Sequence, residues 1–81
     1  MNREEERKRI GQRIADVRKA VKWTDDKGVK RTGMTQSELA EHCGLAQSHI
    51  ARIENGYYSA GLDQLQQIAE VLGCNIDLVK K

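Results

Sequence analysis

The chain has 81 residues, a formal net charge of +2, 4% aromatic residues and neither Phe nor Pro. That length fits one small domain, residues 1–81, with an aliphatic core and little room for a buried catalytic pocket. No apolar run approaches the roughly 20 residues of a membrane span, and no secretory apolar segment stands near the N-terminus, so a cytoplasmic protein with no membrane partner is expected.

Charge is distributed unevenly. Residues 1–33 carry eleven Lys or Arg against six acids, and residues 34–81 carry three against six. Attraction for a polyanion therefore has to come from the N-terminal half. Cys43 and Cys74 occupy apolar positions and read as reduced core thiols, since nothing in their spacing supports a disulfide.

Residues 1–9 are nearly all charged and read as a solvated, partly frayed helix start. Glu4–Lys8 and Glu5–Arg9 have the favourable i,i+4 orientation, worth about 0.2–0.5 kcal/mol each. From Ile10 the pattern turns amphipathic, with Ile14, Val17 and Val21 on the same stripe, and a helix is expected to about Lys22. Residues 23–33, WTDDKGVKRTG, break that period with Asp25, Asp26, Gly28 and Gly33. Two readings stay open for them. One is an exposed loop; the other is a short hairpin built on Asp-Lys-Gly, with Trp23 and Val29 packing back.

Residues 35–56 organise the chain. Thr35 with Glu38 three residues on makes a capping box. Leu39, Ala40 and Cys43 fall on one helical face. Gly44 sits at the C′ position, where a left-handed conformation favours glycine. Leu45 lies in the turn, and a second helix, about residues 46–55, carries Ile50 and Ile53 inward until Gly56 stops it. Its outer face presents Gln47, Ser48, His49 and Arg52. Amide, hydroxyl and guanidinium groups at the start of such a helix are the side chains that read base edges in a major groove.

A polar connection at 57–61 leads to a third amphipathic stretch, residues 62–72, with Leu62, Leu65, Ile68, Ala69 and Leu72 as its apolar stripe and Gly73 as its stop. The tail 74–81 reads as a short strand, about residues 75–80, in preference to a last helical turn. It carries Ile76 and Leu78 on one face. A lone strand needs a partner, and the same strand of a second copy is the simplest one, giving a homodimer.

Chemistry beyond binding finds no support. His42, Cys43, His49 and Cys74 fit no zinc spacing, so no metal is expected. Ser48 and His49 are helix neighbours that do not face each other, and no acid is placed to orient the imidazole. The chain is therefore read as a non-enzyme with no catalytic residues, no cofactor and no small-molecule ligand.

Three segments, IGQRIADVRK, MTQSELAEHCGLAQSHIARIENG and LDQLQQIAEVLG, resemble the Xre-type, lambda repressor-like helix-turn-helix regulators. The resemblance covers about residues 10–75, with Gln36, Leu39, Ala40, Gly44, Leu45, Ile50, Ile53, Glu54 and Gly56 in register. It implies an all-α domain of about five helices that binds double-stranded operator DNA, usually as a dimer, in the bacterial cytoplasm at the nucleoid. By the same resemblance, Gln47, Ser48 and Arg52 are the base-reading residues. Gln36 and Thr35 at the helix start, with His49 and Asn55, are phosphate-binding. Arg18 and Glu54 correspond to a structural ion pair between the first helix and the recognition helix. Lys27, Lys30 and Arg31 of the inserted loop are candidates for further phosphate contacts.

Three departures from that pattern stand out. The loop at 23–33 is about ten residues longer than is usual for the family. Ala46 stands where a capping hydroxyl is common, a loss of about 1 kcal/mol. The strand-like tail resembles antitoxin repressors that pair through their C-terminal strands. The expected function is a transcriptional regulator, a repressor. The alternative is an antitoxin that binds a toxin protein and represses its own operon. A third reading, nonspecific nucleic-acid binding by the basic half, predicts that scrambling the target leaves affinity unchanged.

Overall fold

The computed structural model describes residues 2–57 and 60–73. In chain order it places α1 (Arg3–Ala20), β1 (Lys22–Thr24), β2 (Lys30–Thr32), α2 (Gln36–Cys43), α3 (Gln47–Glu54) and α4 (Leu62–Leu72). The described residues thus form the expected helical domain, with four helices, and the only sheet among them is the two-stranded antiparallel β1–β2. The expected tail strand with Ile76 and Leu78, and Cys74, lie outside the described residues.

The start of α1 is better formed than its charge density suggests. Asn2 Oδ1 accepts from the Glu5 amide at 2.8 Å, and the Glu5 carboxylate accepts from the Asn2 amide at 3.1 Å. This is a second capping box, and it places Glu4, Glu5 and Glu6 at the positive end of the helix dipole. Glu5 is thereby turned away from Arg9, contrary to the expected pairing. Arg9 pairs with Glu6 instead, while the expected Glu4–Lys8 pair forms at 3.8 Å. The helix ends at Ala20, short of Lys22, because Val21 turns extended and Lys22 enters the ladder opposite Thr32.

Ile14, Leu39, Ile50 and Ile68 are the fully buried centre, one from each helix. Met34, Cys43, Ile53, Leu65 and Leu72 close around them. Burial raises the Cys43 thiol pKa, which keeps it protonated among its apolar neighbours. Leu62, expected inward, is 65% exposed. It is the first residue of α4, one turn outside the layer that Leu65 enters.

Two glycines fix how the helices meet. At Gly11 a Cβ would overlap the Ile53 and Glu54 carbonyls, so α1 lies directly on the backbone of α3. Gly44 adopts φ 70°, ψ 29° and turns its amide to the Ala40 and Glu41 carbonyls, making the tight corner between α2 and α3.

The insertion is a hairpin. Trp23 pairs with Arg31, flanked by Lys22–Thr32 and Thr24–Lys30. Asp25 holds the turn, its Oδ1 accepting from the Lys27 and Val29 amides at 3.0 and 2.9 Å. Side chains alternate across the two strands. Trp23 and Arg31 share the face turned to α2, while Lys22, Thr24, Lys30 and Thr32 are exposed on the other. The expectation that Trp23 packs back holds; the same expectation for Val29 does not. Val29 is 53% exposed because it lies at the tip, past the last ladder pair.

Candidate nucleic-acid interface

The second helix of the bihelical unit projects its outer side chains from a frame built behind it. Arg18 of α1 donates through Nε and Nη2 to the two Glu54 oxygens at 2.7 and 2.9 Å, and through Nη1 to the Met34 carbonyl at 2.9 Å. The side chains of this pair are 10% and 5% exposed. Both are therefore desolvated, and the fork geometry with its third bond is what makes that burial tolerable.

A relay runs forward from the pair. Gln36 Nε2 donates to Glu54 Oε1 at 2.9 Å, and Gln47 Nε2 donates to Gln36 Oε1 at 2.7 Å. The polarity of this chain is dictated at its buried end. Arginine only donates and an ionised carboxylate only accepts. Gln36 must therefore offer its NH₂ to Glu54, which leaves its carbonyl for Gln47. Gln47, itself exposed, in turn spends one N–H on Gln36 and keeps its other N–H and its carbonyl oxygen available. A side chain at the start of α3 is thus oriented by an ion pair anchored in α1.

The remaining predicted residues fall into place around this relay. Ser48 and Arg52 are exposed on α3, while His49 is half-buried. Ala46 makes no side-chain cap, as its methyl group requires. Asn55 is exposed, and its amide donates back to the Ala51 carbonyl at 2.9 Å, so it also closes the end of α3. Thr35 forms the expected capping box on α2. Its Oγ1 accepts from the Glu38 amide at 3.0 Å, and Glu38 accepts from the Thr35 amide at 2.9 Å.

The three basic residues of the insertion separate. Lys27 and Lys30 are exposed at the tip and on the outer face. Arg31 instead faces α2, donating from both Nη atoms to the Glu38 carboxylate and lying 4.8 Å above the Trp23 ring. The Thr35 amide first, and the Arg31 guanidinium after it, hold the Glu38 carboxyl pKa below its ordinary value against the opposing effect of burial.

Two supports were not legible in the sequence. Arg7 Nε donates to the Gly56 carbonyl at 3.2 Å and ties α1 to the chain leaving α3. Met34 is buried and its carbonyl is the third partner of Arg18. Arg7 does lie on the Ile10–Ile14 stripe, a weak signal of an inward position. Met34 carries no pattern of its own. Among the described residues, no group of three His, Cys, Asp or Glu could hold a metal, and no helix is long and apolar enough to cross a membrane.

A helix-turn-helix family model matches residues 29–79, which takes in β2 and all three of α2, α3 and α4. The chain belongs to the helix-turn-helix family. Among curated relatives, an immunity repressor protein of Bacillus phage phi105 is 33% identical over 70 residues, covering 86% of this chain and 41% of that protein. An HTH-type transcriptional regulator, y4dL, of Sinorhizobium fredii is 44% identical over 48 residues, covering 59% of this chain and 24% of its own length. A third HTH-type transcriptional regulator, from Methanothermobacter thermautotrophicus, is 43% identical over 44 residues, covering 54% of this chain and 64% of its own. The chain therefore spans less than two thirds of each of these relatives. No solved structure gives a significant match. The family match and the relay coincide, since Gln36, Gln47 and Glu54 all lie inside the matched segment.

Proposed function

We propose that this chain is a sequence-specific double-stranded DNA-binding transcriptional regulator, a repressor that acts as a homodimer with α3 in the major groove. The observation that carries this reading is the Arg18–Glu54–Gln36–Gln47 relay. It leaves Gln47 with an available N–H donor and an available carbonyl acceptor. Adenine presents the complement in the major groove, N7 as acceptor and N6 as donor. A merely solvated surface gains nothing from having one glutamine oriented by a relay of four side chains that starts at a buried ion pair.

Ser48 and Arg52 read neighbouring bases from the same face. Thr35 and Gln36 meet a backbone phosphate where the α2 amides point outward; Gln36 keeps a second N–H for it. His49 and Asn55 meet phosphate at the ends of α3, and Lys27 and Lys30 do so from the insertion. The relatives' names, an immunity repressor and two transcriptional regulators, agree with this reading. Pairing of the tails at Ile76 and Leu78 holds the two copies together.

Selection of bound sequences from a random duplex pool tests the proposal. A symmetric site with half-sites about 10 bp apart, or a multiple of that, is expected. Against the selected site, Gln47→Ala should relax preference at one base pair, losing about 1–3 kcal/mol of discrimination. Gln36→Ala removes the link that orients Gln47, so it should relax preference at the same base pair and also weaken binding to all sequences through its lost phosphate contact, at an unchanged slope of log K against log salt. Enrichment of no sequence, or base preference undiminished in Gln47→Ala, sinks the assignment. Deleting residues 76–81 should yield monomers in sedimentation, and a dimer that survives the deletion removes the tail from the interface.

A further inference from the structure

The N-terminus of α2 presents an electrostatic conflict. Its amides point outward and favour an anion, yet its capping box fixes a carboxylate, Glu38, in the same first turn. Glu54 lies on the other side of Gln36, within 2.9 Å of its Nε2. A phosphate arriving at Thr35 and Gln36 would meet two acids. Glu54 is neutralised by Arg18 from within the core. Glu38 has no such partner in the helical frame, and the residue that answers it comes from the insertion.

Arg31 is held for that task on two sides. Its guanidinium spans both Glu38 oxygens and lies on the Trp23 indole. Trp23 is itself fixed, its Nε1 donating to the Gly33 carbonyl at 2.9 Å and its ring meeting His42 edge-on at 5.6 Å. Trp23 and Arg31 are direct cross-strand partners, so the hairpin register sets the distance between indole and guanidinium. Lysine could supply the charge, but neither the fork nor the stacking plane.

We propose that the hairpin is a positioning element for DNA binding, in which Arg31 acts through Glu38 to cancel the carboxylate charge at the phosphate-facing start of α2. Arg31 is thereby removed from the set of direct phosphate contacts and becomes a positioning residue. This rests on the DNA-binding reading above. The hairpin partner is Glu38, and the beneficiary is the phosphate contact made by Thr35 and Gln36.

The test is a double-mutant cycle on the full chain, measured against the duplex selected from the random pool, at several salt concentrations. Arg31→Gln leaves Glu38 uncancelled and should weaken binding about threefold to tenfold, with base preference and salt slope unchanged. Glu38→Gln keeps a carbonyl for the Thr35 amide while freeing Arg31, and should tighten binding by a similar factor. The double variant should bind within about twofold of the unmodified chain at an unchanged slope.

If Arg31 touches phosphate itself, the double variant binds more weakly than the unmodified chain by the full Arg31→Gln factor and the slope falls by about one, which overturns the proposal. Glu38→Gln with unchanged or weaker binding also overturns it, and that variant decides the matter even where Arg31→Gln fails to fold. Failure of the underlying DNA reading looks different, because the unmodified chain would then enrich no sequence and the cycle would have no duplex to use.

Discussion

Two arginine–glutamate pairs flank the start of α2, and they are built differently. Arg18–Glu54 joins α1 to α3, is almost fully desolvated and passes its polarity through Gln36 to Gln47. Arg31–Glu38 joins the hairpin to α2, with side chains 37% and 24% exposed, and ends at the Thr35 cap. Water screens the second pair and not the first. The first therefore governs whether the domain holds together and which way the Gln47 amide points. The second adjusts the potential that an approaching phosphate meets. A small helical domain gains a tunable charge by adding a hairpin outside its core, where a change costs the fold little.

Breaking the inner pair should have the largest effect. Arg18→Ala strands a buried Glu54 and leaves the Met34 carbonyl unpaired. It should cost about 3–5 kcal/mol in urea unfolding, enough to unfold much of a domain this size. An effect under about 1 kcal/mol would mean that Glu54 finds water and that the pair is not the frame. Next comes the contact that brings α1 and α3 together. Gly11→Ala forces its methyl group onto the Ile53 and Glu54 carbonyls and should cost about 1–3 kcal/mol, read as a lower midpoint at unchanged m.

The outer region should respond mainly to salt and acid. Neutralising Lys27 and Lys30 together should lower the salt slope of DNA binding by about two, with little change in thermal stability. An unchanged slope takes the hairpin's outer face off the DNA. The smallest expected effect is on the acid limb of stability. Glu38 titrates lower in the folded chain than in the unfolded one. Its contribution is therefore complete above the ordinary carboxylate range and is lost as pH falls through the lowered value. Glu38→Gln should flatten that limb, and identical limbs in both proteins would show that the Thr35 amide and Arg31 do not hold the ionised form.

Local chemistry made much of the domain legible. The Thr35–Glu38 capping box, the Gly44 corner, the uncapped Ala46 and the bounds of α4 are each decided within four residues of chain, so pattern and turn residues suffice to find them. Arg18–Glu54 was legible only through resemblance, since 36 positions separate the partners. The expected Glu5–Arg9 pair went astray at short range, because a backbone amide at Asn2 competes for the same carboxylate. Leu62 was misplaced because period alone names a face and does not say how far along an element the opposing surface extends, and Val29 because the hairpin reading did not say that it lies past the last ladder pair.

By itself, the sequence determined the bihelical unit, its caps and its inward residues, all carried by short-range spacing, and made the helix-turn-helix family legible through resemblance. Only the tertiary structure decided which polar side chains act together. The direction of every bond from Arg18 to Gln47 follows from a donor-only group meeting an acceptor-only group across α1 and α3. The reassignment of Arg31 follows from a hairpin register that lays it on Trp23 and against Glu38. Both are consequences of long-range proximity, which no local pattern encodes.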